Sequence, residues 1–139
     1  AGGGGIPVAY DDEGKLFGVE AVIDKDLASG LLAKGLDADM FVMLTDVPNV
    51  FIDYGAPGQM AMRAAHPDAL EHLGFAAGSM GPKVMGACRF VRETGKNSVI
   101  GQLSDLNAIM AGAAGTLISN DIDGIVFEEQ AEPGQTVIK

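Results

Sequence analysis

The sequence has 139 residues, a formal net charge of −10 and 47% hydrophobic residues, which fits one globular domain and excludes a disordered chain. The negative charge disfavours nucleic acids and anionic membranes as partners, because both attract clustered Lys and Arg. No stretch approaches the roughly 20 apolar residues of a membrane span.

The first segments of the chain leave alternatives open. The glycine run Gly2–Gly5 is typical of a flexible linker, and equally of a loop whose backbone approaches a ligand closely. The polar segment Tyr10–Gly18, with a glycine turn, favours a short hairpin or an exposed excursion.

A helix is predicted over Asp24–Gly35. Asp24 or Asp26 can cap its N-terminus, and Gly35 can end it. We expect Leu27, Leu31 and Leu32 to share one apolar face.

Strands and helices then alternate. Met40–Thr45 is a continuous apolar run that suits a buried parallel strand, and it is followed by a second short strand. Further short helices and strands are predicted as far as the strand Gly115–Ile118. The fold class predicted is therefore α/β, as a three-layer α/β/α sandwich with a mainly parallel sheet over residues 1–118. Residues 119–139 are an acidic extension that forms a short hairpin, with strands at 125–127 and 136–138, or a mobile tail.

The tripeptide Asp24-Lys25-Asp26 has two interpretations. The simpler is a helix start with capping carboxylates and a solvated lysine. The functional one is a carboxylate that positions lysines around a transferring phosphoryl group, since phosphoryl transfer needs positive charge aimed at the phosphate oxygens.

The glycine-rich loop Gly78–Lys83 precedes a helix predicted over Val84–Thr94, so Lys83 stands at a helix N-terminus. A cation there opposes the helix dipole, which favours a bound anion such as phosphate over an ordinary exposed lysine. His66 and His72 match no usual zinc spacing, so no metal site is predicted.

Four segments together resemble the second half of carbamate kinases, in the family's order and with about its spacing. They are AGGGGIPV (1–8), EAVIDKDLAS (20–29), LTDV (44–47) and GFAAGSMGPKV (74–84). The resemblance implies the amino acid kinase fold and the making of ATP from ADP and carbamoyl phosphate, or the reverse reaction, with Mg²⁺. It also implies a cytoplasmic enzyme of arginine or purine catabolism that forms a homo-oligomer.

Carried over by position, the resemblance assigns roles to single residues. Lys25 and Lys83 would contact phosphate, and Asp26 would organise them. The adenine and ribose site would be lined by Thr45, Asp46, Phe51 and Tyr54 and closed by Met80, Gly81 and Pro82. A loop near the transferred phosphoryl group would be formed by Gly2, Gly3, Gly4 and Gly5.

The sequence departs from the family in lacking its substrate-binding half, and residues 119–139 are extra. We therefore expect ATP or ADP binding, with turnover dependent on a missing N-terminal half or a companion chain. The alternatives are a non-catalytic nucleotide-binding or assembly module, and another amino acid kinase that acts on a carboxylate or a nucleoside monophosphate.

Overall fold

A computed structural model describes residues 5–129. The strands are β1 (Val8–Tyr10), β2 (Leu16–Gly18), β3 (Met40–Thr45), β4 (Val50–Ile52), β5 (Met60–Ala65), β6 (Asn97–Gln102), β7 (Thr116–Ile118) and β8 (Ile125–Phe127). The helices are α1 (Lys25–Gly35), α2 (Pro67–Glu71), α3 (Met80–Thr94) and α4 (Leu106–Met110), the last preceded by a 3₁₀ turn at Leu103–Asp105. The predicted alternation of helices and strands is present, and the α/β class is confirmed.

Within residues 5–129 the main sheet has six strands, in the order β3-β6-β7-β5-β4, and β8 also pairs with β5. The pairs β3–β6 and β5–β7 are parallel, whereas the other three are antiparallel. The prediction of a mainly parallel sheet is therefore wrong in this detail. The chain turns back after the short α4 through Gly112 and Gly115, which have positive φ angles of 72° and 79°, and this reversal makes β7 antiparallel to β6.

Helices lie on both faces of β6, which gives the predicted three layers. Ile100 lies on the face that packs in the core against α3, whereas the alternating residues Val99 and Gly101 face α4, where a Cβ on Gly101 would meet Ile109. The core between α3 and the sheet includes the tilted ring pair Phe41–Phe90, with centroids 5.5 Å apart. This core packs α3 against β3.

Helix α1 begins as predicted. The Asp24 carboxylate accepts hydrogen bonds from the backbone N–H groups of Asp26 (2.8 Å) and Leu27 (3.0 Å). The expectation of one apolar face is wrong, because Leu31 and Leu32 are exposed while Leu27 reaches towards Gly86 of α3. The face of α1 that packs on α3 is the one that carries Gly30, because a residue without a side chain lets the two helices approach closely.

Helix α3 begins at Met80, earlier than predicted, so Gly81, Pro82 and Lys83 form its first turn instead of a loop. Proline is tolerated there because the first-turn N–H groups have no partner within the helix. The helix ends, as predicted, at Gly95 in the left-handed conformation (φ 71°).

The two ends of the described chain differ in how they join the fold. Tyr10–Gly18 forms the hairpin that was one of its two predicted states, through strands β1 and β2. Part of the segment after Ser119 lies in the main sheet, since β8 pairs antiparallel with β5. The strand predicted at 136–138 lies outside the described residues.

Candidate functional site

One carboxylate oxygen joins the two lysines singled out in the sequence. Asp26 lies in the first turn of α1, and its Oδ2 accepts a hydrogen bond from the Lys83 ammonium at 2.9 Å. The same oxygen accepts a hydrogen bond from the Lys25 ammonium at 3.2 Å. The structure thus brings together Lys25, Asp26 and Lys83, hereafter the lysine–aspartate cluster.

The members of the cluster differ in exposure. The side chains of Asp26 and Lys83 are each 11% exposed, whereas that of Lys25 is 55% exposed. Burial favours the neutral acid, but the bonds from Lys83 and Lys25 outweigh it and hold the pKa of Asp26 below its usual value. The hydrogen bond to Asp26 likewise raises the pKa of Lys25. Two ammonium groups around one carboxylate leave the cluster with a formal charge of +1.

Close packing of α1 on α3 holds the cluster together. A Cβ on Gly86 would lie 3.3 Å from the backbone oxygen of Asp26. A Cβ on Gly30 would lie 3.5 Å from the ring of Phe41 and 3.6 Å from the backbone oxygen of Gly86. Glycine at both positions lets the helix backbones meet, and this brings the start of α1 within reach of Lys83.

Lys83 also lines a cavity of about 530 Å³ at the carboxyl ends of β3 and β4. The cavity is lined by Thr45, Asp46, Val47, Phe51, Ile52, Asp53, Tyr54, Leu73, Gly74, Phe75, Ala76, Ser79, Met80 and Lys83. It contains the predicted nucleotide-site residues except Gly81 and Pro82. Its volume lies within the 300–1,000 Å³ range typical of small-molecule sites.

The lining divides into an apolar and a polar part. The rings of Phe51 and Tyr54 lie 5.6 Å apart between centroids, and Phe75 and Met80 add further apolar surface. Such surface suits a flat aromatic group.

The polar part of the lining has both kinds of charge. The Asp46 carboxylate accepts a hydrogen bond from the Thr45 hydroxyl (3.0 Å), and Asp53 supplies a second carboxylate. Carboxylates of this kind accept hydrogen bonds from hydroxyl groups. Within the described part of the chain, Lys83 is the one basic residue that lines this cavity, so an anionic group of a ligand would bind at its end of the site.

Two residues predicted to close the nucleotide site lie elsewhere. Gly81 and Pro82 line a second cavity, of about 450 Å³, between α2 and α3. They lie on the side of the first helical turn that lines the second cavity, whereas Met80 and Lys83, three residues apart, lie on the side that lines the first. Of the three residues expected to close the site, Met80 alone lines the first cavity.

Of the glycine run at the start of the chain, Gly5 alone lies within the described residues. Gly2, Gly3 and Gly4 lie outside the described residues, so their predicted place near the transferred phosphoryl group stays a prediction. Gly5 is exposed, and a Cβ at this position would lie 3.9 Å from Ile23, just before α1. Gly5 therefore lies close to the segment that leads into the lysine–aspartate cluster.

Sequence reasoning missed part of the cavity wall. Leu73 and Phe75 come from the connection between α2 and α3. Phe75 lies in the segment GFAAGSMGPKV (74–84) that carries the resemblance, but neither residue was assigned to the site. Asp53 has a φ of 51°, a left-handed conformation that aspartate tolerates better than most residues. The pair Asp53-Tyr54 before Gly55 is the turn signal from which this position could have been found.

Within residues 5–129, no group of three or more His, Cys, Asp or Glu side chains is arranged to hold a metal ion. In kinase sites Mg²⁺ needs only one or two carboxylates, because the phosphates of the nucleotide supply further ligands. Asp46 and Asp53 line the cavity, whereas Asp26 is occupied by ammonium groups, so the residues present fit a magnesium ion that arrives with a nucleotide. None of the helices in the described chain is long and apolar enough to cross a membrane.

Comparison with known proteins gives a consistent result. The model of the amino acid kinase family matches residues 2–102. The carbamate kinase of Haemophilus influenzae is 56% identical over 127 residues, which cover 91% of this chain and 41% of that protein. The carbamate kinase of Rhizobium meliloti is 46% identical over 129 residues, covering 91% of this chain and 40% of that protein. The chain thus spans about two fifths of the length of these relatives.

Solved structures agree with the sequence matches. The carbamate kinase from Giardia lamblia bound to AMP-PNP superimposes with a TM-score of 0.78 at 42% identity, covering 84% of this chain and 42% of that one. The UMP kinase from Bacillus anthracis superimposes with a TM-score of 0.60 at 16% identity, covering 76% of this chain and 45% of that one. The second likeness concerns the fold alone.

Proposed function

Because the chain belongs to the amino acid kinase family, we propose that it is the nucleotide-binding part of a carbamate kinase. In this proposal ATP or ADP occupies the cavity of about 530 Å³. The base lies against Phe51, Tyr54 and Met80, and the phosphates point towards Lys83. The reaction is phosphoryl transfer between ATP or ADP and carbamate or carbamoyl phosphate.

The observation that carries the proposal is that Lys83 both lines the cavity and belongs to the lysine–aspartate cluster. Its side chain lines the cavity and at the same time donates a hydrogen bond to Asp26 at 2.9 Å. A lysine that only stabilised the packing of α1 on α3 would not need to face a cavity. A lysine that only bound a ligand would not need a nearly buried carboxylate partner.

The cluster suits a phosphoryl group in transit. Catalysis of this reaction depends mainly on positioning and on positive charge that is already in place. Asp26 holds Lys25 and Lys83 at one point, so little reorganisation is needed when negative charge spreads over the phosphoryl oxygens. A magnesium ion bound with the nucleotide would neutralise further phosphate charge.

The carbamate site belongs, in this proposal, to the part of the relatives that this chain does not match. Binding ATP or ADP alone would need only the cavity and Lys83. In-line transfer also needs the second reactant to be held in place, an effect worth roughly 7–11 kcal/mol in well-oriented reactions. Turnover would therefore depend on an N-terminal half or a companion chain.

Titration calorimetry with ADP tests the nucleotide site. Lys83→Ala should weaken ADP binding by roughly 1.5–3 kcal/mol, the contribution of a hydrogen bond to a charged group. Lys34→Ala is the matched control, because it removes the same charge from a lysine that pairs with Glu93 far from the cavity. Equal ADP affinity of the two variants, both shown to be folded by urea unfolding, would reject the assignment.

A further inference from the structure

We propose that the exposed apolar side chains between Ile6 and Leu36 form the surface that binds the part of a carbamate kinase which this chain does not match. More than half of the large hydrophobic side chains exposed in the described residues lie in this stretch, which is about a quarter of those residues. Single exposed apolar residues are ordinary, but such a concentration marks an interaction site.

The hairpin β1–β2 contributes the first part of this surface. Its close backbone contacts are mainly those between its own two strands. A lone two-stranded hairpin is marginally stable in water, and it usually needs a further strand or a helix to pack against. Phe17 is 47% exposed, and Val22, between the hairpin and α1, is 96% exposed. The hairpin therefore presents apolar surface without a partner in the described chain.

The outer side of α1 contributes the second part. Its inner side packs on α3 through Asp26 and Gly30. Leu32 and the C-cap Leu36 are one helical turn apart on the opposite side, where they are 48% and 72% exposed. A helix that is apolar on both sides is typical of one covered on both sides.

The length of the relatives indicates the occupant. This chain covers 41% of the Haemophilus influenzae carbamate kinase at 56% identity, so about three fifths of that protein have no counterpart among the aligned residues. The charges around the surface are mainly acidic, with Asp12, Glu13 and Glu20 exposed. The partner surface should thus be apolar, with lysine and arginine at its rim.

This inference rests on the proposed function for the identity of the partner. Co-expression tests it: this chain, carrying an affinity tag, is produced together with the unmatched part of the Haemophilus influenzae carbamate kinase as a separate, untagged chain. We expect the tagged chain to recover the untagged one. Val22→Lys and Leu36→Lys should each reduce the recovered amount at least fivefold. Met85→Lys is the matched control, since Met85 is 60% exposed on α3 and should leave recovery unchanged.

Three results would overturn the inference. One is a wild-type chain that recovers no partner although the untagged chain is present, folded, in the soluble fraction, and another is equal recovery by all three variants. The third is a concentration-dependent dimer of the wild-type chain in sedimentation experiments that Val22→Lys abolishes, because the occupant would then be a second copy. ADP calorimetry on the wild type keeps the two proposals apart. Recovery of the partner without ADP binding would reject the nucleotide site and leave the interface.

Discussion

Replacing Asp26 by Asn tests whether the carboxylate is the centre of the site. The substitution keeps the shape of the side chain but removes the charge that faces Lys83 at 2.9 Å, where both side chains are 11% exposed. Breaking a buried pair from one side costs about 3–5 kcal/mol. The residual exposure and the remaining acceptor oxygen of Asn reduce the loss, so we expect Asp26→Asn to lower the free energy of unfolding by about 2–3 kcal/mol.

Urea unfolding at pH 7 measures this loss, and Asp24→Asn is the control. Asp24 lies two residues away and caps α1, a position where Asn is as good as Asp, so its variant should stay within about 0.5 kcal/mol of the wild type. A loss for Asp26→Asn no larger than for Asp24→Asn would refute the reasoning, because the carboxylate would then not hold the lysines.

The pH dependence gives a second test of the same variant. The pKa of Asp26 is lowered in the folded state. The stability that its charge contributes is therefore complete above the unfolded pKa of about 3.9 and is lost as the pH falls through the folded value. The difference in unfolding free energy between the wild type and Asp26→Asn should be constant from about pH 5 to 8 and shrink below about pH 4. An unchanged difference at pH 3 would contradict the ionised pair.

Two further predictions concern the core. Gly115→Ala should destabilise the protein by about 2–4 kcal/mol in urea unfolding, because its Cβ would lie 2.8 Å from Val99 and 3.0 Å from the backbone oxygen of Ile100 at a φ of 79°. Gly112→Ala, with a similar φ but open space, should cost about 1–2 kcal/mol, and an equal loss would contradict the contact argument. Burial raises the pKa of the Cys88 thiol to about 11, so iodoacetamide at pH 8 should alkylate the native protein about 100-fold more slowly than the urea-unfolded chain. Similar rates would show that the thiol is not held in the core.

The parts of the fold that depend on local chemistry were predictable. The cap at Asp24, the apolar strand Met40–Thr45 and the glycine stop at Gly95 each follow from one or two residues and their neighbours. Strand β5 (Met60–Ala65) was missed, because Met, Ala and Arg have little preference for strands and its place is set by pairing with three other strands. The mixed direction of the sheet has the same origin, since apolar runs do not reveal which way a neighbouring strand runs.

The candidate site likewise has a part that could be predicted from the sequence and a part that could not. The resemblance singled out Lys25, Asp26 and Lys83, and in the structure both lysine ammonium groups donate hydrogen bonds to the same carboxylate oxygen of Asp26. The position of Gly81 and Pro82 in the lining of the second cavity was not predictable. Glycine and proline favour a loop, but both residues also fit the first turn of a helix. Leu73 and Phe75 reach the cavity through tertiary packing alone.

The contact at Gly86 ties the chemistry of the site to the packing of the fold. Gly86 lies three residues after Lys83 on the same side of α3, and it touches the backbone of the residue whose carboxylate Lys83 binds. The Cβ of an Ala at position 86 would lie 3.3 Å from the backbone oxygen of Asp26, so the start of α1 would have to shift by a few tenths of an ångström. The position of the Asp26 carboxylate relative to Lys83 would change with it. The glycine that lets the two helices pack closely therefore also sets the position of the charge.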